Sequence, residues 1–190
     1  MVIDIVLPNG NEKELFARAK QLGITSLVCL SSQPSTADGC VMGIIAQPGS
    51  VEKSRKKAAI TAVFSTESDL HVVEHEHPNL LINFEYDLRA DSLHQRASGM
   101  NHILARACAK NNVAVCFSVA PLLKLPPQKR AQVLGRISQN ISICRQFKVS
   151  MRIATLATTP AELRNPADLV SLFVTLGMHP SEAKKAIGPL

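Results

Sequence analysis

Residues 2–30, VIDIVLPNGNEKELFARAKQLGITSLVCL, decide the fold class. Val2–Leu7 is a short aliphatic run of the kind that forms a buried strand. Asn9–Glu12 turns the chain into a helix whose Leu15, Phe16, Ala19 and Leu22 recur at helical spacing, and Gly23 ends it. Ser26–Leu30 is a second aliphatic run. Strand, helix and strand in so short a span make a βαβ unit, which implies parallel strands and a right-handed crossover.

The alternation continues along the chain. Further strands are expected at Val41–Ala46, Ala62–Ser65, Leu80–Asn83, Val113–Phe117 and Val149–Ala154. Helices are expected between them at Val51–Ala59, at Leu70–Glu76, from Ser98–Gly99 to Asn111–Asn112, and from Pro126–Pro127 to about Phe147. The inward stripe of that last helix is Leu134, Ile137, Ile141 and Cys144. Three short helices close the chain, each opened by proline with an acid nearby: Thr159-Pro160 with Glu162, Asn165-Pro166 with Asp168, and His179-Pro180 with Glu182. Proline tolerates the missing amide and the acid meets the positive end of the helix. Gly177 stops the second. About seven parallel strands in one 190-residue domain, 1–190, suggest a small irregular (β/α) barrel. An open doubly wound sheet has the same periodicity.

With 46% hydrophobic residues the chain has material for a real core, and with six Phe, one Tyr and no Trp that core must be aliphatic. No segment approaches the ~20 apolar residues of a membrane span, and the first residues lack the charged and apolar regions of a secretory signal. A cytoplasmic protein with no membrane partner is expected. The five cysteines, at 29, 40, 108, 116 and 144, include no C-x-x-C pair; all but Cys40 fall on apolar faces or in strands, as buried reduced thiols do.

Charge is unevenly divided. Residues 1–88 carry 7 Lys/Arg against 11 Asp/Glu, residues 89–152 carry 11 against the single Asp91, and residues 153–190 carry 3 of each. The whole excess of +6 therefore belongs to the middle third. Such a concentration fits a phosphate-rich partner better than a surface charged only for solubility.

Within that third, Ser98 offers a capping hydroxyl and Gly99 an unusual backbone angle for the start of a helix. Ile103, Leu104, Ala107 and Cys108 fall at helical spacing, while His102, Arg106 and Lys110, four apart, share another face. Arg89, Arg96, His102, Arg106, Lys110, Lys124, Lys129, Arg130 and Arg136 lie in or beside consecutive βα units and converge on one side if the sheet closes. His102 has a second reading, as a buried imidazole with its hydrogen bonds satisfied. No aromatic platform motif and no G-x-x-G clamp is present, so the expected mode is phosphate and ribose contact with folded RNA. Arg164 and Asp168, also four apart, read as a local ion pair.

The same region resembles a known family. Arg96-Ala-Ser-Gly-Met-Asn-His102, Leu104-Ala105, Ala109-Lys110-Asn111-Asn112-Val113-Ala114 and Phe117-Ser118 form one block of similarity. Asn140-Ile141, Cys144-Arg145, Glu162-Leu163-Arg164-Asn165-Pro166-Ala167-Asp168-Leu169, Leu176-Gly177-Met178 and Ala183-Lys184-Lys185-Ala186 form the second. Together they resemble the archaeal ribonuclease P protein subunit of the thirty-kilodalton class over most of residues 94–188. The resemblance implies a TIM-barrel-like fold and a subunit of the endonuclease that removes the 5′ leader of precursor tRNA. It further implies that the RNA subunit with Mg²⁺ breaks the bond, that this chain binds no cofactor itself, and that a small protein subunit is its partner. Arg164 and Asp168 belong to the family's motif. Arg96, His102, Arg106, Lys110 and Arg164 then become RNA-contact or positioning residues, with Ser98, Gly99 and Asp168 structural or positioning.

The rival reading is a metal-dependent phosphoesterase of the polymerase-and-histidinol-phosphatase type. His71 and His75 have the spacing to share a metal, with His77, Glu74 and Glu76 near them. Those enzymes carry His-x-His at the end of the first strand, where this chain has Asp4-Ile5-Val6. Ser31, Gln47, Ser65 and Ser118 stand at other strand ends. No G-x-S-x-G, no Walker loop and no paired carboxylates in the second half offer another chemistry, so no catalytic residue is assigned.

Overall fold

The computed structural model describes residues 1–32, 40–86, 90–92 and 96–189. Seven strands appear in chain order: β1 (Ile3–Val6), β2 (Ser26–Ser31), β3 (Cys40–Ile45), β4 (Ile60–Phe64), β5 (Leu80–Ile82), β6 (Ala114–Ser118) and β7 (Met151–Ala154). Each pairs in parallel with the next, so the sheet order is the sequence order. The helices lie between and after them: α1 (Glu12–Gln21), α2 (Val51–Arg55), α3 (Asp69–His71, continued by a π turn, Val72–Glu76), α4 (His102–Lys110), α5 (Ala120–Lys124), α6 (Pro127–Gln146), α7 (Pro166–Thr175) and α8 (Pro180–Ala186). Short 3₁₀ turns occupy Phe84–Tyr86 and Pro160–Glu162.

Alternate strand residues part into two environments, as the pleat requires. Ile5, Val28, Leu30, Ile60, Ala62, Leu80, Ile82, Cys116 and Ala154 form one cluster, the inside of a barrel. Leu81, Val115, Phe117 and Ile153 belong to a second cluster with Leu104 and Cys108 of α4, Ile137 and Ile141 of α6, and Phe173 of α7. Leu15 and Ala19 of α1 cover Leu27 and Cys29 in a third. Four of the cysteines are buried free thiols, and burial pushes the Cys108 and Cys144 thiols up to about 12.

The seventh strand meets the first through residues just beyond its end. Leu156 donates its amide to the Ile5 carbonyl and Leu7 donates to the Ala157 carbonyl, both at 2.9 Å. Asp4 ties the same seam: Oδ1 accepts from the Thr155 amide at 2.7 Å and the Ile5 amide at 2.8 Å, and Oδ2 accepts from the Thr155 hydroxyl at 2.6 Å. At the other end of β1, the Ile3 amide reaches Ile187 after α8. Seven parallel strands thus form a nearly closed barrel, and the open-sheet alternative is set aside.

Several boundaries differ from expectation. The helix expected from Val51 to Ala59 ends at Arg55, because Ile60 must already be in β4. The first of the three proline-led C-terminal helices is only a 3₁₀ turn, in which Glu162 accepts from the Thr158 amide at 2.7 Å. Helix α5 was not expected at all. Among the described residues no helix is long and apolar enough to cross a membrane.

Candidate nucleic-acid interface

Helix α4 is positioned by a different cap from the one its sequence suggests. Asn101, not Ser98, is the N-cap, and its Oδ1 accepts from the amides of Ile103 and Leu104 at 2.9 Å. Ser98 is buried against α6: its hydroxyl accepts from Gln139 at 3.1 Å and its carbonyl from Asn140 at 2.8 Å. Gly99 does adopt the left-handed angle, with φ of +79°, and a Cβ there would lie 2.7 Å from the Phe84 carbonyl oxygen. The loop before α4 is therefore pinned to α6 by polar contacts and to the end of β5 by close approach.

That anchoring presents a cationic row. Leu104, Ala105, Ala107 and Cys108 face the core, while His102, Arg106 and Lys110 are exposed, so the buried-imidazole reading of His102 is overturned. The Arg106 guanidinium lies over the Phe147 ring, 5.4 Å from its centroid, which steers it toward the end of α6. Arg96 is exposed and extends along α6, donating from Nη1 to the Gly135 carbonyl at 3.2 Å. A Cβ at residue 135 would come within 3.0 Å of its Cζ and Nε, so the glycine makes the bed in which the guanidinium lies. Glycine inside a long helix was the sequence signal for this contact, and sequence reasoning missed it.

The other cations stand apart from that row, or have work of their own. Lys129 is exposed in the first turn of α6. Arg130 donates to the carbonyls of Leu122, Leu123 and Leu125 at 2.9–3.3 Å, closing the C-terminus of α5. Arg136 is 1% exposed and belongs to the interior, where it pairs with Asp91 at 2.8 Å and donates to the Glu85 carbonyl at 3.1 Å. Lys124 pairs with Glu162 at 2.6 Å. Burial raises the Glu162 carboxyl, but Lys124 and the amide and hydroxyl of Thr158 together outweigh it and hold it at about 2. Arg164 turns Nη1 to the carbonyls of Ala161 and Leu163 at 2.8 Å in place of the expected pair with Asp168, which is exposed in the first turn of α7. Arg89 lies outside the described residues.

The histidine cluster is elsewhere. His71 and His75 are exposed with ring centroids 4.5 Å apart. Glu76 is engaged with the amides of Gly49 and Val51, at the start of α2. Among the described residues no three His, Cys, Asp or Glu side chains gather to hold a metal ion. Leu7, Ile45 and Phe64 pack on the inner cluster at the C-terminal ends of their strands, where a barrel phosphoesterase needs ligands.

Comparison with known proteins bears on the fold and the family. A curated relative, ribonuclease P protein component 3 of Methanosarcina barkeri, is 25% identical over 96% of this chain, which spans 66% of that relative's length. An archaeal ribonuclease P solved by cryo-EM with mature tRNA contains a chain of the same fold, with a TM-score of 0.77 at 23% identity over 97% of this chain and 86% of that one. Histidinol phosphate phosphatase from Lactococcus lactis, solved with zinc, L-histidinol and phosphate, shares the fold with a TM-score of 0.63 at 8% identity, covering 94% of both chains. The family model described as RNase P subunit p30 matches residues 51–190, which contain the whole cationic row and the helices that carry it. This chain belongs to the RNase P subunit p30 family.

Proposed function

We propose that this chain is a protein subunit of ribonuclease P and supports the folding and activity of the RNA that cleaves the 5′ leader from precursor tRNA. The observation that carries the reading is the row His102, Arg106 and Lys110, exposed on α4 and extended by Arg96 across α6, in a chain of this family. Cationic side chains held on rigid helices neutralise phosphates in a fixed spatial pattern, which suits a folded RNA read by shape. In this reading the holoenzyme's Mg²⁺ serves the RNA-catalysed hydrolysis, and this chain supplies positioning. A small ribonuclease P protein is its partner, and precursor tRNA is met through the assembled particle. The phosphoesterase alternative has the likeness of fold alone to support it.

The test is recovery of the tagged chain from its native cells under gentle conditions, with sequencing of bound RNA. One dominant structured RNA, a small protein and cleavage of precursor tRNA by the recovered particle are expected. Recovery of protein partners that survive nuclease treatment, with no enriched RNA, would refute the assignment. Replacing Arg96, Arg106 and Lys110 together with glutamine should flatten the log–log salt dependence of RNA binding by roughly one unit for each phosphate left unneutralised.

A further inference from the structure

We propose that the mouth of the barrel at the N-terminal ends of its strands takes one unpaired nucleobase of the bound RNA, a uracil or a guanine. The inference rests on the RNA-binding reading above and adds to it a contact that is not electrostatic. The mouth holds a cavity of about 510 Å³, within the roughly 300–1,000 Å³ of small-ligand sites. Its walls are Ile3, Val28, Val41, Ile60 and Ala114, from β1, β2, β3, β4 and β6. Val41 is 39% exposed there, a large apolar side chain left in water. A flat ring with two apolar faces would cover it.

Two polar groups of this lining are held in place and offer donors. Asn79 precedes β5, and its Oδ1 accepts from the Thr61 amide at 2.8 Å and the Thr61 hydroxyl at 2.9 Å. Those bonds engage the oxygen and leave the amide nitrogen without a partner among the described residues. Arg152 stands on the inner face of β7 and fixes its Nη1 on the Gly188 carbonyl at 3.0 Å. Its Nε is enclosed by protein and out of a ligand's reach, so Nη2 is the donor it has to give. No carboxylate pairs with it among the described residues. Asn112 and Ser150 line the cavity from exposed positions, where no side-chain hydrogen bond fixes them. The two fixed groups answer a base edge that carries acceptors, the O2 and O4 of uracil or the O6 and N7 of guanine. Adenine and cytosine set an exocyclic amine on the corresponding edge, donor against donor. Lys57, Lys110 and Lys148 are exposed, each two residues before a residue of the mouth, Ala59, Asn112 and Ser150. Lys110 also ends the α4 row, so a strand neutralised by that row arrives at the mouth with a base free to turn in.

The experiment measures binding of the full chain to uridine, adenosine and cytidine RNA decamers, for the wild-type protein and for Val41→Phe and Asn79→Asp. Val41→Phe narrows the mouth without changing its charge. Asn79→Asp keeps an oxygen for Thr61 and puts a second acceptor where the donor was. The uridine decamer should bind tighter than the other two. Val41→Phe should weaken it roughly five- to ten-fold, the low end of what one base contact contributes, with the log–log salt slope unchanged. Asn79→Asp should abolish the preference for uridine over cytidine. Both variants should keep the wild-type thermal midpoint; if Val41→Phe lowers it, the preference in Asn79→Asp decides alone. Equal binding of the three decamers by the wild type, or an unchanged preference in the variants, overturns the mouth. The RNA reading then still stands if the Arg96, Arg106 and Lys110 triple variant flattens the slope, and falls with it if that slope is unchanged. A Val41→Phe chain that keeps its RNA affinity but no longer brings down a small protein from its native cells marks the mouth as a protein interface, which refutes the proposal as well.

Discussion

Asp4 offers the sharpest test of how the barrel is closed. Its carboxyl is 2% exposed, and burial pushes it up to about 6 although the Thr155 hydroxyl, the Thr155 amide and the Ile5 amide all bind it. A carboxyl raised in the folded protein favours folding when protonated. Its contribution is complete below the unfolded value of 3.8 and is lost as pH rises through about 6. Above that range the buried charge costs roughly 3 kcal/mol, at about 1.4 kcal/mol for each pH unit of displacement. Asp4→Asn keeps an oxygen for both amides and turns a donor toward the Thr155 hydroxyl, which can accept. It should therefore add up to about 3 kcal/mol at about pH 7.5 and almost nothing at about pH 4. Asp4→Ala leaves two buried amides unanswered, at about 1–3 kcal/mol each, and should lose most at the acid end, where no charge penalty is relieved.

Urea unfolding of the three proteins at both pH values measures this directly. Glu85 complicates the raw profile, because it is fully buried, neither carboxyl oxygen has a hydrogen-bond partner, and burial lifts it to about 7. It acts in the same direction as Asp4 but is common to all three proteins, so the differences isolate the seam. An Asn variant that tracks the Ala variant at both pH values would refute the reasoning, as would a gain that is the same at each pH.

Two glycines yield further expectations. Gly99→Ala should destabilise the protein by roughly 2 kcal/mol or more, since it combines a left-handed backbone with a 2.7 Å approach to the Phe84 carbonyl; thermal unfolding reads it, and an unchanged midpoint would refute the packing described. Gly135→Ala should gain up to about 1 kcal/mol of helix propensity yet lift Arg96 off α6, so RNA affinity should change while stability holds or rises. Paired thermal and binding measurements separate the two effects.

Strand content was legible because aliphatic runs such as Ser26–Leu30 and Leu80–Asn83 are too apolar for anything but a buried parallel sheet, and the observed strands fall within a residue or two of them. Closure was not legible, because it depends on Asp4 meeting Thr155 across 151 residues, a contact that leaves no period in the chain. The cap of α4 was misassigned because Ser98 and Asn101 are both good capping residues and only packing against Gln139 and Asn140 decides between them. Charge was easy to count but hard to place. Arg130 and Arg136 resemble Arg106 in sequence, yet one binds carbonyls at the end of α5 and the other is drawn inside by Asp91. That lone acid in a basic stretch was the available hint. Helix α5 went unseen because a single turn between Val119 and Leu125 has little propensity of its own and is finished by Arg130 from the next helix.

The order of the sheet has a consequence for how the molecule is made. Every ladder joins neighbours in the chain, so a nascent polypeptide can add strands one after another as they leave the ribosome. The first strand must nevertheless keep one margin open until Thr155, Leu156 and Ala157 have been synthesised. During that interval an apolar edge is available to other chains, and the speed of this last annealing step should govern how much newly made protein escapes aggregation.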